Sequence, residues 1–293
     1  LLKNTPQQML IRGQNLVGYK HDSDQVVSKF LEQSADNGIE IFRTFDALND
    51  FNNIEFTIKE IKRIGKHAQG TIAYTTSPVH NLDTWLELAK KIEDAGADSL
   101  AIKDMAGLLR PFDAYNLVKN LKETIEIPVH MQTHATTGMS AATNMKAIEA
   151  GIDNIDTSIS SLSMTYGHSA TETMLAIFED QDREIILDLE ALEEVSKFFR
   201  NIRKKYSEFE GGLKGVDSSM LVKQVPGGML SNLESQLRAN KQEDKIDLVK
   251  DEIPKVRKDF GYPPLVTPAS QIVGAQALLN VMSSNRYENL SNE

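Results

Sequence analysis

The sequence predicts an α/β fold: a (β/α)8 TIM barrel that lacks its first two strands and continues into a C-terminal helical extension. Three observations carry this reading. Short β-rich segments alternate with amphipathic stretches six times in succession. The strand-end residues Arg12, Arg43, Tyr74, Lys103 and Gln132 are separated by 31, 31, 29 and 29 residues, the length of a strand, a crossover helix and two loops. After about Thr171 the alternation gives way to long charged helices.

The strands are read in QQMLIR, IEIFRTF, QGTIAYT, DSLAIKD, IPVHMQTH and DNIDTSI. Between the first two, Val26, Val27, Phe30 and Leu31 recur at helical spacing and Gly38 supplies a stop. Trp85, Leu86, Leu88, Ala89 and Ile92 repeat the pattern ahead of Gly96, and Ala142, Met145 and Ile148 ahead of Gly151. Alternating βα units imply a parallel sheet. No Gly-rich phosphate turn follows the first strand, so a barrel is preferred to a doubly wound sheet.

Residues 1–170 are thus assigned to barrel units three to eight, and residues 171–293 to the helical extension. Its helices are expected at Leu189–Tyr206, at Leu230–Lys250 and from about Ser270, with the connector EFEGGLKGVDSSMLVKQVPGGMLSN between the first two. A connector of that length is usually functional or mobile. Six strands cannot close a barrel, and the chain opens on Leu1 without Met. A longer parent protein carrying the front strands is therefore expected.

The 293 residues carry 32 Lys and Arg against 42 Asp and Glu, a net charge of -10. Such a balance disfavours nucleic acid as a partner, since phosphate neutralisation needs clustered positive charge. Cysteine is absent, which excludes disulfides, thiolate ligands and Cys nucleophiles. No apolar run approaches the roughly 18 residues of a membrane helix, so the chain reads as soluble and cytoplasmic.

Working residues of a barrel lie at the C-terminal strand ends, which here carry Arg12, Arg43, Asp46, Lys103, Asp104, Gln132, His134 and Asp156. A lysine closing the apolar run SLAIKD faces the mouth, where burial or charge shifts its pKa. In VHMQTHATTG, His130, Gln132 and His134 alternate and share one face of an extended strand. Two imidazoles there suit Zn²⁺, Co²⁺ or Mn²⁺, and equally suit hydrogen-bonding or acid/base roles; spacing leaves both open. His21, His67, His80 and His168 receive no role. GHSATETM at Gly167 is read as ordinary helix N-capping, and VTPASQIVG as a turn with Pro at a helix start.

Taken together, LIRGQNLVGY, IFRTFDALND, AIKDMAGLL, HATTGMS, VPGGMLSNLESQ and LVTPASQIVG resemble the carboxyltransferase domain of biotin-dependent enzymes. The resemblance runs in order from about Thr5 to Tyr287. It is strongest to the alpha subunit of oxaloacetate decarboxylase, with pyruvate carboxylase and transcarboxylase more distant. It implies transfer of a carboxyl group from oxaloacetate to biotin on a carrier domain outside this chain, with release of pyruvate; a pyruvate carboxylase subunit running in reverse and an impaired relative are the alternatives. By matching motifs, Lys103 corresponds to a carbamylated metal-binding lysine and His134 to a histidine ligand of a divalent metal (Zn, Co or Mn). Arg12 and Tyr19 correspond to substrate-holding residues, Thr267 to the proton shuttle, and Arg43 to a residue of the mouth. Two departures stand out. The family has His where this chain has Gln132, with His130 as the substitute candidate, and the family's metal-binding Asp lies on a strand preceding this sequence. The resemblance further implies a homodimer, a biotinyl carrier partner and, for the decarboxylase, membrane subunits of a sodium pump.

Overall fold

The computed structural model describes residues 2, 4–179, 186–210, 212–239 and 241–291; Leu1, at which the sequence opens, and Gly211 of the long connector lie outside them. Strand β1 (Gln7–Ile11) leads to helix α1 (Asp24–Asp36), and β2 (Ile39–Thr44) to α2 (Phe51–Arg63). Then follow β3 (His67–Ala73), α3 (Leu82–Asp94), β4 (Ser99–Asp104), α4 (Pro111–Thr124), β5 (Val129–Thr133), α5 (Ser140–Glu149) and β6 (Asn154–Ile155). The strands pair in parallel in the order β1-β2-β3-β4-β5-β6. Six parallel strands with helices on their outer face make a partial TIM barrel, as the sequence predicts. All six fall on the predicted segments, although β6 is only two residues long.

Helical spacing dictates the packing. Ile54, Thr57, Ile58 and Ile61 of α2, Trp85, Leu88, Ala89 and Ile92 of α3, and Ala114, Leu117, Val118 and Leu121 of α4 are buried against the sheet. In α1 only Val27 and Leu31 are buried, whereas Val26 is exposed: it lies off the stripe that faces the sheet. Asp50 and Asn81 accept from the backbone N–H groups of Asn52 and Thr84, capping α2 and α3. Strand β4 is buried along its whole length, because helices cover one face and the barrel interior the other.

The extension continues with α6 (Thr171–Phe178), α7 (Leu189–Lys205), α8 (Ser219–Lys223), α9 (Gly227–Ala239), α10 (Ile246–Asp259) and α11 (Ala269–Met282). The single helix expected over Leu230–Lys250 is two. Lys241 takes a positive φ of 56°, and the Gln242 N–H donates to the Leu237 carbonyl at 2.9 Å, a left-handed stop that ends α9. Helix α10 in turn runs past Pro254, because Val249, Ile253 and Val256 continue one buried stripe across it.

A second core joins this layer to the barrel. Met220, Val225, Met229, Leu233, Val249, Ile253, Val256, Leu265 and Val273 pack around Ala106 and Leu108 of the β4–α4 loop. A third cluster sets Val266 and Ala269 on Phe45, Ala47 and Ala73. Helices therefore cover the C-terminal strand ends. No helix among the described residues is long and apolar enough to cross a membrane.

Candidate functional site

Strand register builds the floor of the site. Lys103 of β4 pairs with Gln132 of β5 and with Ala73 of β3. Neighbours in register on a parallel sheet project alike, so the Lys103 ammonium donates to Gln132 Oε1 at 3.2 Å. Arg43, only 2% exposed, reaches across from β2: Nε donates to Gln69 Oε1 at 2.5 Å, Nη1 to Asp156 Oδ2 at 2.5 Å, and Nη1 to Gln132 Oε1 at 3.4 Å. Arg43 Nη2 also reaches Asp156 Oδ1 at 3.3 Å, and His130 Nε2 bonds the same oxygen at 2.6 Å. One network thus gathers Arg43, Lys103, Gln132, His130 and Asp156.

Burial sets the charges. It brings the Lys103 ammonium down to about 8, helped by the Arg43 guanidinium. Burial opposes ionisation of Asp156, yet the hydrogen bonds from His130 and Arg43 win and hold its carboxyl well below the usual range. Asp104, fully buried, is pushed up to about 6 by desolvation, against the backbone N–H groups of Leu109 and Leu108 and the Thr133 hydroxyl that bind it. Those bonds close the β4–α4 turn, where Gly107 takes a φ of +66° and an added Cβ would lie 2.6 Å from the His134 carbonyl. Asp46 does similar work in the β2–α2 loop, accepting from Leu48 N, Asp50 N and Asn53 Nδ2. Both carboxylates organise loops.

A cavity of about 230 Å³ opens beside this floor, lined among others by Met105, His134, Thr136, Tyr166, Met229 and Thr267. His134 Nδ1 donates to the Tyr166 carbonyl at 2.6 Å, which fixes the tautomer and leaves Nε2 with a lone pair; that nitrogen is buried without a partner among the described residues. Burial, then the neighbouring His168 ring at 4.7 Å, lower His134 to about 4, so the imidazole is neutral at neutral pH. Thr267 enters from the other wall, two residues ahead of α11. Arg12 and Tyr19 lie at the end of β1, where the Arg12 charge adds to burial and to the Arg43 charge in lowering Lys103. The Arg12 guanidinium donates to the Val17 and Gly18 carbonyls and sits 5.4 Å from the ring centroid of Tyr19, itself 58% exposed.

A divalent cation needs several converging donors, and this floor supplies them poorly. His134 Nε2 suits a metal. Gln132 Oε1, however, already accepts from two cations, and His130 Nε2 and both Asp156 oxygens are bound to one another or to Arg43. No three His, Cys, Asp or Glu residues converge among the described residues. The residues described do not fit a divalent metal.

Sequence reasoning missed Gln69, the contact of His168 with His134, and Arg257. Arg257 is 5% exposed on α10. Its guanidinium donates to Thr75 Oγ1 at 2.8 Å, to the Thr76 carbonyl at 3.2 Å, to the Pro263 carbonyl at 2.9 Å and to Gln224 Oε1, which ties the segment before Thr267 to the rim of β3. Burial lowers it to about 10. The signal was available: Glu252 and Arg257 occupy positions of the same helical stripe as Val249, Ile253 and Val256. The capping expected in GHSATETM is not found. Ala170 stands at the N-cap of α6 without a side-chain bond, and the Ser169 hydroxyl pairs with Ser140 instead.

Comparison with known proteins places this geometry. A family model described as HMGL-like matches residues 39–199, and one described as a conserved carboxylase domain matches residues 220–293. A pyruvate carboxylase subunit of Methanocaldococcus jannaschii is 50% identical over 293 residues, all of this chain and 52% of the relative. The methylmalonyl-CoA carboxyltransferase 5S subunit of Propionibacterium freudenreichii subsp. shermanii is 48% identical over 295 residues, all of this chain and 58% of the relative. The carboxyl transferase domain of Rhizobium etli pyruvate carboxylase, solved with oxamate and biotin, superposes with a TM-score of 0.94 at 35% identity, over 97% of this chain and 49% of that one. The chain spans about half the length of the curated relatives it matches. By sequence and by structure alike, the chain belongs to the HMGL-like family, among the carboxyltransferase domains of biotin-dependent enzymes.

Proposed function

We propose that this chain carries the carboxyl-transfer step of a biotin-dependent enzyme of the pyruvate carboxylase type, acting on pyruvate and on biotin borne by a separate carrier domain. The observation that carries the reading is the juxtaposition of a buried cationic floor, Lys103 and Arg43, with a cavity walled by His134 and Thr267. A 2-oxo acid brings a carboxylate, and its enolate brings a developing oxyanion. Fixed cations in a buried site stabilise both without reorganising.

In the carboxylation direction, the Thr267 hydroxyl takes a methyl proton of pyruvate and passes it to the biotin nitrogen as the N–carboxyl bond breaks. The enolate carbon then forms the new C–C bond, giving oxaloacetate and free biotin. Arg12 and Tyr19 hold substrate oxygens from the end of β1. The relatives from Methanocaldococcus jannaschii and Methanothermobacter thermautotrophicus, both named as pyruvate carboxylase subunits, favour this direction over the oxaloacetate decarboxylase reading that the sequence motifs suggest. Sodium coupling belongs to that second reading alone.

Exchange of pyruvate methyl protons with deuterated solvent, followed by NMR with free biotin present, tests the step. Biotin-dependent exchange that falls about 100-fold in Thr267→Ala is expected for a proton shuttle. Exchange indifferent to biotin and to Thr267 would overturn the reading.

A further inference from the structure

We propose that Gln132 makes this centre a fixed-cation site, in which Lys103 and Arg43 hold the anionic 2-oxo acid and no divalent ion is retained. The inference rests on the carboxyltransferase reading for its ligand, and on the donor set for the rest.

An oxygen that faces two donors, Lys103 Nζ at 3.2 Å and Arg43 Nη1 at 3.4 Å, can only be the acceptor end of Gln132, so chemistry settles the orientation of its amide. A metal bound to that oxygen would have to share it with two cationic side chains. An imidazole at the same position would offer a single lone pair and, with His134, two nitrogen ligands on one strand face. Gln132 instead bridges two cations.

The other donors are committed. Asp156 Oδ1 is held by His130 Nε2 and Arg43 Nη2, and Oδ2 by Arg43 Nη1. Asp104 spends its oxygens on Leu108 N, Leu109 N and the Thr133 hydroxyl. His134 Nε2 is left buried and unpartnered beside this floor, and a single imidazole does not retain an ion. A carbamate on Lys103 would set a negative oxygen against Gln132 Oε1, where the present contact is a donor meeting an acceptor. The same cations serve an anion well: a carboxylate placed over them meets two donors already desolvated and held in register.

Two measurements on the full chain test this. The protein is incubated with excess zinc, cobalt or manganese, desalted, and its metal content determined by plasma mass spectrometry; binding of oxamate, a pyruvate mimic, is then measured calorimetrically with and without EDTA. Less than about 0.1 metal per wild-type chain is expected, against near one per chain in Gln132→His, which supplies the second imidazole. Oxamate affinity should be unmoved by EDTA in the wild type, weaken by at least about tenfold in Lys103→Met, and become EDTA-sensitive in Gln132→His.

Near one metal per wild-type chain, lost in His134→Ala, overturns the proposal. So does a folded Gln132→His protein, by circular dichroism, that stays as metal-free as the wild type, because Gln132 would then not be the cause. If Gln132→His does not fold, the wild-type metal content and the Lys103→Met affinity decide alone. Failure of oxamate to bind any form, metal-loaded or not, sinks the 2-oxo acid reading and the cationic role with it; metal retention accompanied by EDTA-sensitive oxamate binding sinks only the fixed-cation inference.

Discussion

Two adjoining polar clusters along strand β5 differ in character. In one, Arg43, Gln69, His130 and Asp156 satisfy one another, with contacts of 2.5 to 2.6 Å at the three shortest bonds. In the other, four residues further along, His134 spends one nitrogen on a carbonyl and leaves the second buried and idle beside a cavity. Buried polar groups are nearly always paired, so an idle atom facing a cavity is where a ligand would find a partner. The first cluster is closed on itself and presents a charge fixed in place; the second offers an open lone pair.

The sharpest way to break this contrast is to delete one half of the paired cluster. Asp156→Ala leaves the Arg43 guanidinium buried without a counter-charge, and a loss of about 3–5 kcal/mol in urea denaturation is expected. A loss below about 1 kcal/mol would mean that the ion pair contributes little despite its burial.

Asp104 gives the next effect, through pH. Its folded-state pKa of about 6 lies above the ordinary 3.8, so between those values the folded protein keeps a proton that the unfolded chain has released. Stability from this group falls as pH rises through that window and stays low above it, by about 3 kcal/mol for a two-unit shift. Subtracting the pH–stability curve of Asp104→Asn from that of the wild type should isolate this slope. A flat difference would contradict it.

His134→Leu should be the mildest. Replacing this half-satisfied imidazole by an apolar side chain removes an orphaned nitrogen but frees the Tyr166 carbonyl, and a change of only about 1 kcal/mol at pH 7 is expected. The depressed pKa of about 4 adds a signature of opposite sign to that of Asp104: stability is fully present above the ordinary 6.5 and is lost as pH falls toward 4. The variant should lack that acid loss. Its ligand affinity should fall while its stability holds, the reverse of what Asp156→Ala does.

Much of the fold was legible because covalent geometry enforces it. A strand, a crossover and two loops take about 30 residues, and the spacing from Arg12 to Gln132 displays that period directly. The end of α9 was not legible, since it depends on a left-handed Lys241, a conformation that nothing in a lysine side chain announces. Within the site, the strand-end rule located Arg43, Lys103, Gln132, His134 and Asp156, but not their division of labour. Asp46 and Asp104 share the polarity of the other mouth residues, and only their backbone partners reveal them as loop organisers. Thr267 came from the motif resemblance, because it reaches the cavity through tertiary packing that no local pattern encodes.

Arg257 has a consequence in time. Its bond to Thr75 joins residues 182 positions apart, so almost two thirds of the chain must already be ordered before that guanidinium finds its acceptors. Contacts closing so long a loop are expected to form after the folding barrier is crossed. Weakening this one should therefore leave the rate of folding nearly untouched and hasten unfolding, making Arg257 a latch on the lifetime of the assembled site and a bystander to its construction.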